Sequence, residues 1–227
     1  MKKIKFAGQF SYIDKPKKSA RYLPEWYKNT PPVSQKGASL TQDVTTFKTC
    51  VPFMDSMTSG YIIELWADIE IKKINGVSNV FWKDENVNPM SFKTNDSIGF
   101  MSIPEGYGNE VFSFMHSMYL ETPKGYSLIF TQPLNRFDLP FLTLSAIVDC
   151  DLEPLFPGGV PMFLKKDFEG VIKKGTPLIQ VIPIKRDSWK IEDSQDLKIL
   201  GKNVMDRAGL YIRSWYKKNA WSRKSYE

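Results

Sequence analysis

Residues 122–136 read TPKGYSLIFTQPLNR, and residues 170–186 read GVIKKGTPLIQVIPIKR. Each stretch joins a glycine-containing turn to a run of β-branched and aromatic residues, which is the pattern of a buried or half-buried strand. Residues 126–131 and 178–184 are therefore predicted strands. Together they favour a fold made mainly of β-strands.

The same pattern continues on both sides of these two stretches. Further strands are predicted at residues 46–53, 60–72, 79–83, 111–120, 141–149, 160–164 and 171–172. Asn75-Gly76 between two of these ranges indicates a hairpin, because both residue types tolerate the positive φ of a tight type I′ turn. Residues 84–110 are polar and predict a long loop with at most short strands. Many short strands with Gly and Pro turns predict a mainly β, single β-sandwich or β-barrel-like body of the β-clip or jelly-roll type.

The two ends of the chain differ from this β body, which we place at residues 46–191. Several prolines indicate an extended N-terminal arm at residues 1–45, with a short helix following Pro24. From Asp196 onward, apolar residues recur every three or four positions. This period predicts an amphipathic C-terminal helix within residues 192–227.

Charge is separated along the chain. Residues 1–28 carry eight Lys and Arg against two Asp and Glu, residues 197–227 carry the same numbers, and the middle is net negative. The basic C-terminal segment also contains aromatic residues, and this combination stacks on bases or contacts acidic surfaces. We therefore expect the ends to engage an acidic protein partner or a second copy of the chain, with nucleic acid possible at the C-terminal helix. The alternative is that its aromatic face packs on the β body.

The sequence excludes several classes of protein. No apolar run is long enough to span a membrane and no secretory leader is recognisable. These features predict a cytoplasmic protein, found in the host cytoplasm or, if it is phage-encoded, in the virion.

The residue types present also limit the chemistry. The two cysteines, Cys50 and Cys150, are expected as reduced, buried thiols. The chain has one histidine, His116, whereas most metal and acid-base sites need more than one imidazole, so we expect no metal site. We expect the His116 imidazole to be hydrogen-bonded in or near the core. Glycine-rich phosphate-binding motifs are also absent from the sequence.

Five segments carry a resemblance to known sequences, namely Leu23-Pro24-Glu25-Trp26, Thr49-Cys50-Val51-Pro52, residues 122–136, Val148-Asp149 and residues 170–189. Through them the chain resembles, over most of its length, a family of proteins from tailed phages and bacteria to which no activity is assigned. This resemblance implies a phage or bacterial origin.

A more distant resemblance is to the dUTPase-like and dCTP-deaminase-like β folds. Three signals carry it in the same order along the chain, namely the turn at residues 123–125, the strand end at residues 148–151 and the strand at residues 172–180. The resemblance implies that Asp149 positions or activates a water for attack on a phosphate, with Mg²⁺ as the only cofactor, needed if a nucleotide is bound. The ligand-binding candidates are Asn135, Arg136, Asp151, Gln180 and Arg186.

Each candidate also has a purely structural interpretation. Acidic residues at strand ends satisfy local backbone donors, Asn135 and Arg136 suit a turn with a surface ion pair, and a strand glutamine commonly pairs internally. Two functions therefore stay open: a non-enzymatic binding or assembly module, which leads, and a nucleotide-binding or nucleotide-hydrolysing protein. Convergence of Asn135, Arg136, Asp149 and Arg186 on one pocket would favour a ligand, and their dispersal would favour the module.

Overall fold

The structure is a computed structural model of the 227-residue chain, and it describes residues 2–34, 44–83, 87–93, 99–209 and 215–227. The chain divides into two compact units. The larger comprises Met1–Pro24 with Met57–Arg186, and the smaller comprises Glu25–Ser56 with Asp187–Glu227. The domain boundaries near residues 45 and 191 stay a prediction.

Strands account for most of the regular structure. In chain order they are β1 (Lys5–Gly8), β2 (Lys17–Lys18), β3 (Val33–Ser34), β4 (Val44–Thr45), β5 (Tyr61–Glu64), β6 (Ile69–Ile74), β7 (Val77–Phe81), β8 (Met90–Lys93), β9 (Tyr107–Met115), β10 (Met118–Glu121), β11 (Tyr126–Thr131), β12 (Phe141–Thr143), β13 (Ala146–Asp149), β14 (Gly159–Lys165), β15 (Gly170–Ile172) and β16 (Pro177–Lys185). The helices are α1 (Glu25–Asn29), α2 (Val51–Thr58), α3 (Gln195–Gly209) and α4 (Trp215–Asn219).

Antiparallel sheets build the larger unit, which confirms the predicted mainly β fold. A five-stranded sheet has the order β13-β11-β16-β5-β2, and a four-stranded sheet has the order β12-β14-β9-β8. A three-stranded sheet, β15-β6-β7, and the pair β1-β10 complete the unit. Buried side chains from the two largest sheets and from β6 share one apolar cluster, as in a sandwich. The described strands form open sheets, so of the two predicted forms, a sandwich and a barrel, they do not form a closed barrel.

The predicted Asn-Gly hairpin is confirmed between β6 and β7. Asn75 and Gly76 have φ values of 53° and 78°, and the residues flanking them, Ile74 and Val77, face each other across the ladder. Positive φ at both central residues is the geometry of a type I′ turn, whose twist matches that of the flanking strands.

The strand predicted at residues 46–53 is wrong. A 3₁₀ turn occupies Phe47–Thr49, and α2 begins two residues later. The Thr46 side chain accepts a hydrogen bond from the Lys48 amide, and Pro52 lies in the first helical turn, where its missing N–H costs nothing. Local capping thus outweighs the β propensity of the β-branched and aromatic residues.

Several long predicted strands are interrupted. The run at 60–72 is two strands, β5 and β6, and the run at 111–120 breaks at Ser117, which has a φ of 51°. The predicted loop at 84–110 contains β8 and the first residues of β9, while residues 84–86 and 94–98 lie outside the described residues. Side-chain alternation identified these strands but carried no signal for where they break.

The smaller unit contains the short helix predicted after Pro24, now α1, and the C-terminal helix, now α3 and α4. Residues 210–214 of the predicted helix lie outside the described residues. In the C-terminal tail, Trp221 Nε1 donates to Asp55 Oδ2 at 2.8 Å and Lys224 Nζ donates to the same oxygen at 2.5 Å. Part of the basic tail therefore pairs with a carboxylate on α2.

Both cysteines are free thiols, but only Cys150 is buried, so the expectation of burial is wrong for Cys50. Within the part of the chain that the structure describes, no helix has the length and apolar character needed to cross a lipid bilayer.

The central strand β16 passes very close to Gly60. A Cβ atom placed on Gly60 would lie 2.1 Å from the Val181 carbonyl oxygen, and the φ of Gly60 is 70°. Both conditions require glycine, since side chains are strained at positive φ and the backbone carbonyl of a paired strand has no room to move.

We predict that Gly60→Ala lowers the free energy of unfolding by about 3 kcal/mol or more, from backbone strain and the clash together. Gly76→Ala is the matched control, because Gly76 has a similar φ of 78° but open space around its Cβ position. That control should cost only about 1 kcal/mol. Urea unfolding of both variants measures the difference, and equal losses would contradict the close approach.

His116 is the buried, hydrogen-bonded residue that we expected. Its Nδ1 lies 3.3 Å from the Met118 amide nitrogen and its Nε2 lies 3.1 Å from the Gly158 amide nitrogen. A neutral imidazole accepts at one of these two positions, because its other ring nitrogen carries a proton. Two donors face the ring and the side chain is shielded from water, so burial lowers the pKa of His116 from 6.5 to about 4.

This pKa shift predicts a pH dependence of stability. The folded protein resists protonation that the unfolded chain accepts, so stability is full above pH 6.5 and falls by about 3 kcal/mol as the pH drops to about 4. Denaturant unfolding at several pH values tests this, and His116→Gln should remove the slope even if it lowers stability at pH 7. As the chain has one histidine, an unchanged slope in the variant would refute the assignment.

Candidate functional site

Three of the sequence-predicted site residues meet where β11, β13 and β16 end. Arg186 follows β16 and forms ion pairs with Asp149, at 3.1 Å from Nη1 to Oδ1, and with Asp151. Ser127 donates to Asp149, and the Gly125 amide donates to Asp151 at 2.8 Å. We name Gly125, Ser127, Asp149, Asp151 and Arg186 the Arg186 cluster.

Asp151 is the buried member of the Arg186 cluster, with 1% of its side chain exposed. The hydrogen bond from Arg186, helped by the Gly125 amide, lowers the pKa of Asp151 to about 2. Its Oδ1 is buried and has no hydrogen-bond partner among the described residues. A carboxylate in this setting depends on its guanidinium partner to stay ionised.

The other three predicted residues lie around a different turn. The Gln180 side chain is buried in β16, where its Oε1 accepts from the Leu134 amide at 2.9 Å and its Nε2 donates to the Ser59 carbonyl at 2.6 Å. Asn135 occupies the turn with a φ of 62°. Arg136 donates to both oxygens of Asp138 at 2.8 Å and to the Tyr22 carbonyl at 2.8 Å.

The six candidates therefore form two groups and do not converge on one pocket, and this dispersal favours a binding or assembly module over a ligand held by these six residues. In the β11–β16 ladder, Tyr126 faces Lys185 and Thr131 faces Gln180. Five residue steps of about 3.4 Å each, or roughly 17 Å, separate the two ends of this ladder. In both groups the polar side chains mainly bond to one another or to the backbone.

A cavity of about 200 Å³ lies elsewhere in the larger unit, beside the junction of β5, the N-terminal segment and the turn before β16. Its lining residues are Tyr12, Ile13, Asp14, Lys17, Glu64, Leu65, Trp66, Met118, Lys174 and Gly175. We name it the Glu64 pocket. Ligand sites combine apolar and aromatic walls with a few convergent polar groups, and the Glu64 pocket has this composition.

Glu64, the last residue of β5, is the best shielded charge in the pocket, with 16% of its side chain exposed. Lys17 Nζ donates to Glu64 Oε2 at 2.6 Å, and the Tyr22 hydroxyl donates to Oε1. The hydrogen bond to Glu64 raises the pKa of Lys17, and burial raises the pKa of Tyr22. A carboxylate offers about four acceptor positions, two on each oxygen. Because Lys17 and Tyr22 each use one, each oxygen of Glu64 keeps one acceptor position for a further donor.

Tyr12 and Trp66 form the aromatic wall of the pocket. The ring centroids of Tyr12 and Trp66 are 5.9 Å apart. Phe10 stacks on Tyr12 with a centroid distance of 5.4 Å. Trp66 Nε1 donates to the Met115 carbonyl at 2.7 Å, which fixes the indole orientation. Tyr12 is 42% exposed and so presents an aromatic ring at the pocket mouth.

Sequence reasoning missed the Glu64 pocket. Its residues come from positions 12–17, 64–66, 118 and 174–175, brought together by the pairing of β2 with β5 and of β5 with β16. No contiguous motif marks them. The available signal is the cluster of aromatic and charged residues at 10–17, within the segment predicted as an extended arm.

Among the described residues, no group of three or more His, Cys, Asp or Glu side chains is placed to hold a metal ion. The Mg²⁺ expectation tied to nucleotide binding therefore stays a prediction.

Comparison with known proteins gave matches only among solved structures. No protein-family model matches the chain, and no curated protein does. The dUTPase of Staphylococcus bacteriophage 80alpha with dUpNHpp has 8% identity and a TM-score of 0.38, over 85% of this chain and 88% of that one. A mutant dUTPase of phage phi11 of S. aureus, solved with a structural Mg(II) ion, has 8% identity and a TM-score of 0.38, over 85% and 97%.

A further mutant of the phage 80alpha dUTPase has 8% identity and a TM-score of 0.39, over 85% of this chain and 96% of that one. At this level of similarity no active-site residue of those enzymes carries over to this chain. Function therefore has to be argued from the side chains present.

We predict that Arg186→Met destabilises the protein most at neutral pH. Asp151 is ionised there and loses its cation, whereas near pH 2 it is about half protonated and gains less from a cation, so the loss should shrink as the pH falls from about 4 towards 2. Guanidinium unfolding at both pH values measures this, and a loss independent of pH would contradict it. Lys5→Met, which breaks the exposed Lys5–Glu121 pair, is the control and should cost at most about 1 kcal/mol.

Proposed function

We propose that this protein binds a small molecule that carries a nucleobase, a nucleoside or nucleotide, in the Glu64 pocket. The carrying observation is the aromatic wall of Tyr12 and Trp66 in the same cavity as the shielded Glu64 carboxylate. Recognition of a planar heterocycle uses an aromatic ring on which it stacks and an acceptor for its N–H groups, and the pocket has both.

The size of the cavity supports a ligand of this kind. Pockets that bind drug-sized ligands have volumes of about 300–1,000 Å³, and the Glu64 pocket is smaller, at about 200 Å³. A single ring system fits such a volume, while a sugar would extend towards the mouth. The apolar floor of Ile13, Leu65 and Met118 adds burial for the ring.

The segment that carries Tyr12 is anchored at both ends. β1 pairs with β10 before it and β2 pairs with β5 after it, while the Gln9 amide donates to the Ser117 carbonyl at 2.9 Å. An anchored segment loses little further entropy on binding, which favours affinity.

Hydrolysis is not part of the proposal. Asp149, the candidate for activating water, lies in the Arg186 cluster beyond the end of β16, whereas the pocket lies beside the start of that strand. The nine-residue strand is roughly 27 Å long, so the two places act separately.

We predict that Tyr12→Ala weakens nucleoside or nucleotide binding by about 1–3 kcal/mol, or roughly fivefold to 150-fold, because the stacking surface is lost. Tyr12→Phe is the matched control and should bind within about twofold of the wild type, since it keeps the ring. Isothermal titration calorimetry with the four common nucleosides and their phosphates measures both variants.

A thermal-shift screen with the same compounds gives an independent readout. A ligand at 100 times its dissociation constant adds about 2.7 kcal/mol of stability, which is readily detected. Tryptophan and tyrosine serve as comparison ligands, because an aromatic amino acid also has a ring and charges. Binding of those amino acids without any nucleoside or nucleotide, or equal affinities for the alanine and phenylalanine variants, would refute the proposal.

A further inference from the structure

The charges around the Glu64 pocket balance. Two carboxylates, Asp14 and Glu64, and two ammonium groups, Lys17 and Lys174, line the cavity. Lys17 contacts both carboxylates, at 2.6 Å to Glu64 and 3.3 Å to Asp14. Among the described residues, no carboxylate oxygen lies within 4 Å of Lys174 Nζ. Of the four charged side chains that line the cavity, Lys174 is therefore the one without an ion pair.

The turn beside the pocket cannot cradle a phosphate with its backbone amides. Phosphate sites commonly use consecutive N–H groups that point at the anion. Here the Lys174 amide donates to Asp68 Oδ1 at 2.7 Å, the Gly175 amide to the Leu65 carbonyl at 2.8 Å and the Thr176 amide to the Lys173 carbonyl at 3.1 Å. The bond from Lys174 also holds the pKa of Asp68 below its usual value. All three donors are engaged inside the fold.

Other phosphate-binding groups are missing from the lining as well. Among the residues that the structure describes, no arginine lines the cavity. The carboxylates of Asp14 and Glu64 would repel a phosphate group on the ligand. A diphosphate or triphosphate chain would therefore meet two carboxylates and two lysines, one of which, Lys17, is already paired with both carboxylates.

We infer that the pocket takes its ligand as the uncharged nucleoside and discriminates against the phosphorylated forms. This inference rests on the proposed function and narrows it to one ligand class. Glu64 accepts from the base, Tyr12 and Trp66 hold its ring, and the balanced lysines and carboxylates leave no net field to attract an anion. Discrimination by unfavourable charge is a common way to reject a close analogue.

The test is calorimetric titration of the full chain with adenosine, guanosine, cytidine and uridine and with the monophosphate and triphosphate of each. At least one nucleoside should bind, at least tenfold more tightly than its own triphosphate. Tighter binding of the triphosphate would overturn this inference while leaving the proposed function standing. If no compound of the panel binds, the proposed function fails with it.

A charge variant tests the cause of the discrimination. Asp14→Asn removes one negative charge from the pocket lining and should raise the ratio of monophosphate to nucleoside affinity by on the order of fivefold. Glu153→Gln makes the same change of charge at an exposed position outside the lining and should leave this ratio unchanged. An equal ratio in the wild type and Asp14→Asn would show that charge balance does not set the ligand class.

Discussion

The pairing of β16 on both sides is the constraint on which the rest of the larger unit depends. The strand bonds to β11 along one edge and to β5 along the other, and its first five residues are buried. Pro183 is tolerated because it lies two residues past Val181, where the pairing with β5 ends. A strand enclosed in this way fixes the places of its two ends, one beside the Glu64 pocket and the other at Arg186.

The same burial explains why Gln180 organises its neighbours. An amide side chain inside a sheet is costly unless its polar atoms are bonded, and Gln180 bonds to the backbone at Leu134 and Ser59. The turn that contains Asn135 is held against the sheet by this contact. Gly60, next to Ser59, must then pass within reach of the Val181 carbonyl, which leaves no room for a side chain.

The sequence predicted the parts of the fold that local chemistry determines. The Asn75-Gly76 hairpin, the strand at residues 126–131 and the mainly β class followed from turn residues and side-chain alternation. The helix α2 did not, because the 3₁₀ turn capped by Thr46 and the proline in the first turn of α2 compete with a run of good strand formers. The Glu64 pocket was also beyond such reasoning, since its walls are brought together by pairing between strands far apart in sequence.

Conspicuous charge is a poor guide to a ligand site in this molecule. The Asp-x-Asp strand end and Arg186 are easily noticed in the sequence, yet they pair with one another, and the guanidinium is occupied by two carboxylates. A charge so occupied must break existing bonds before it binds anything else, whereas Tyr12, although it stacks on Phe10, is 42% exposed beside the cavity. Lone-pair positions on Glu64 and the exposed tyrosine ring are therefore better placed to recognise a ligand than the more strongly charged Arg186 cluster.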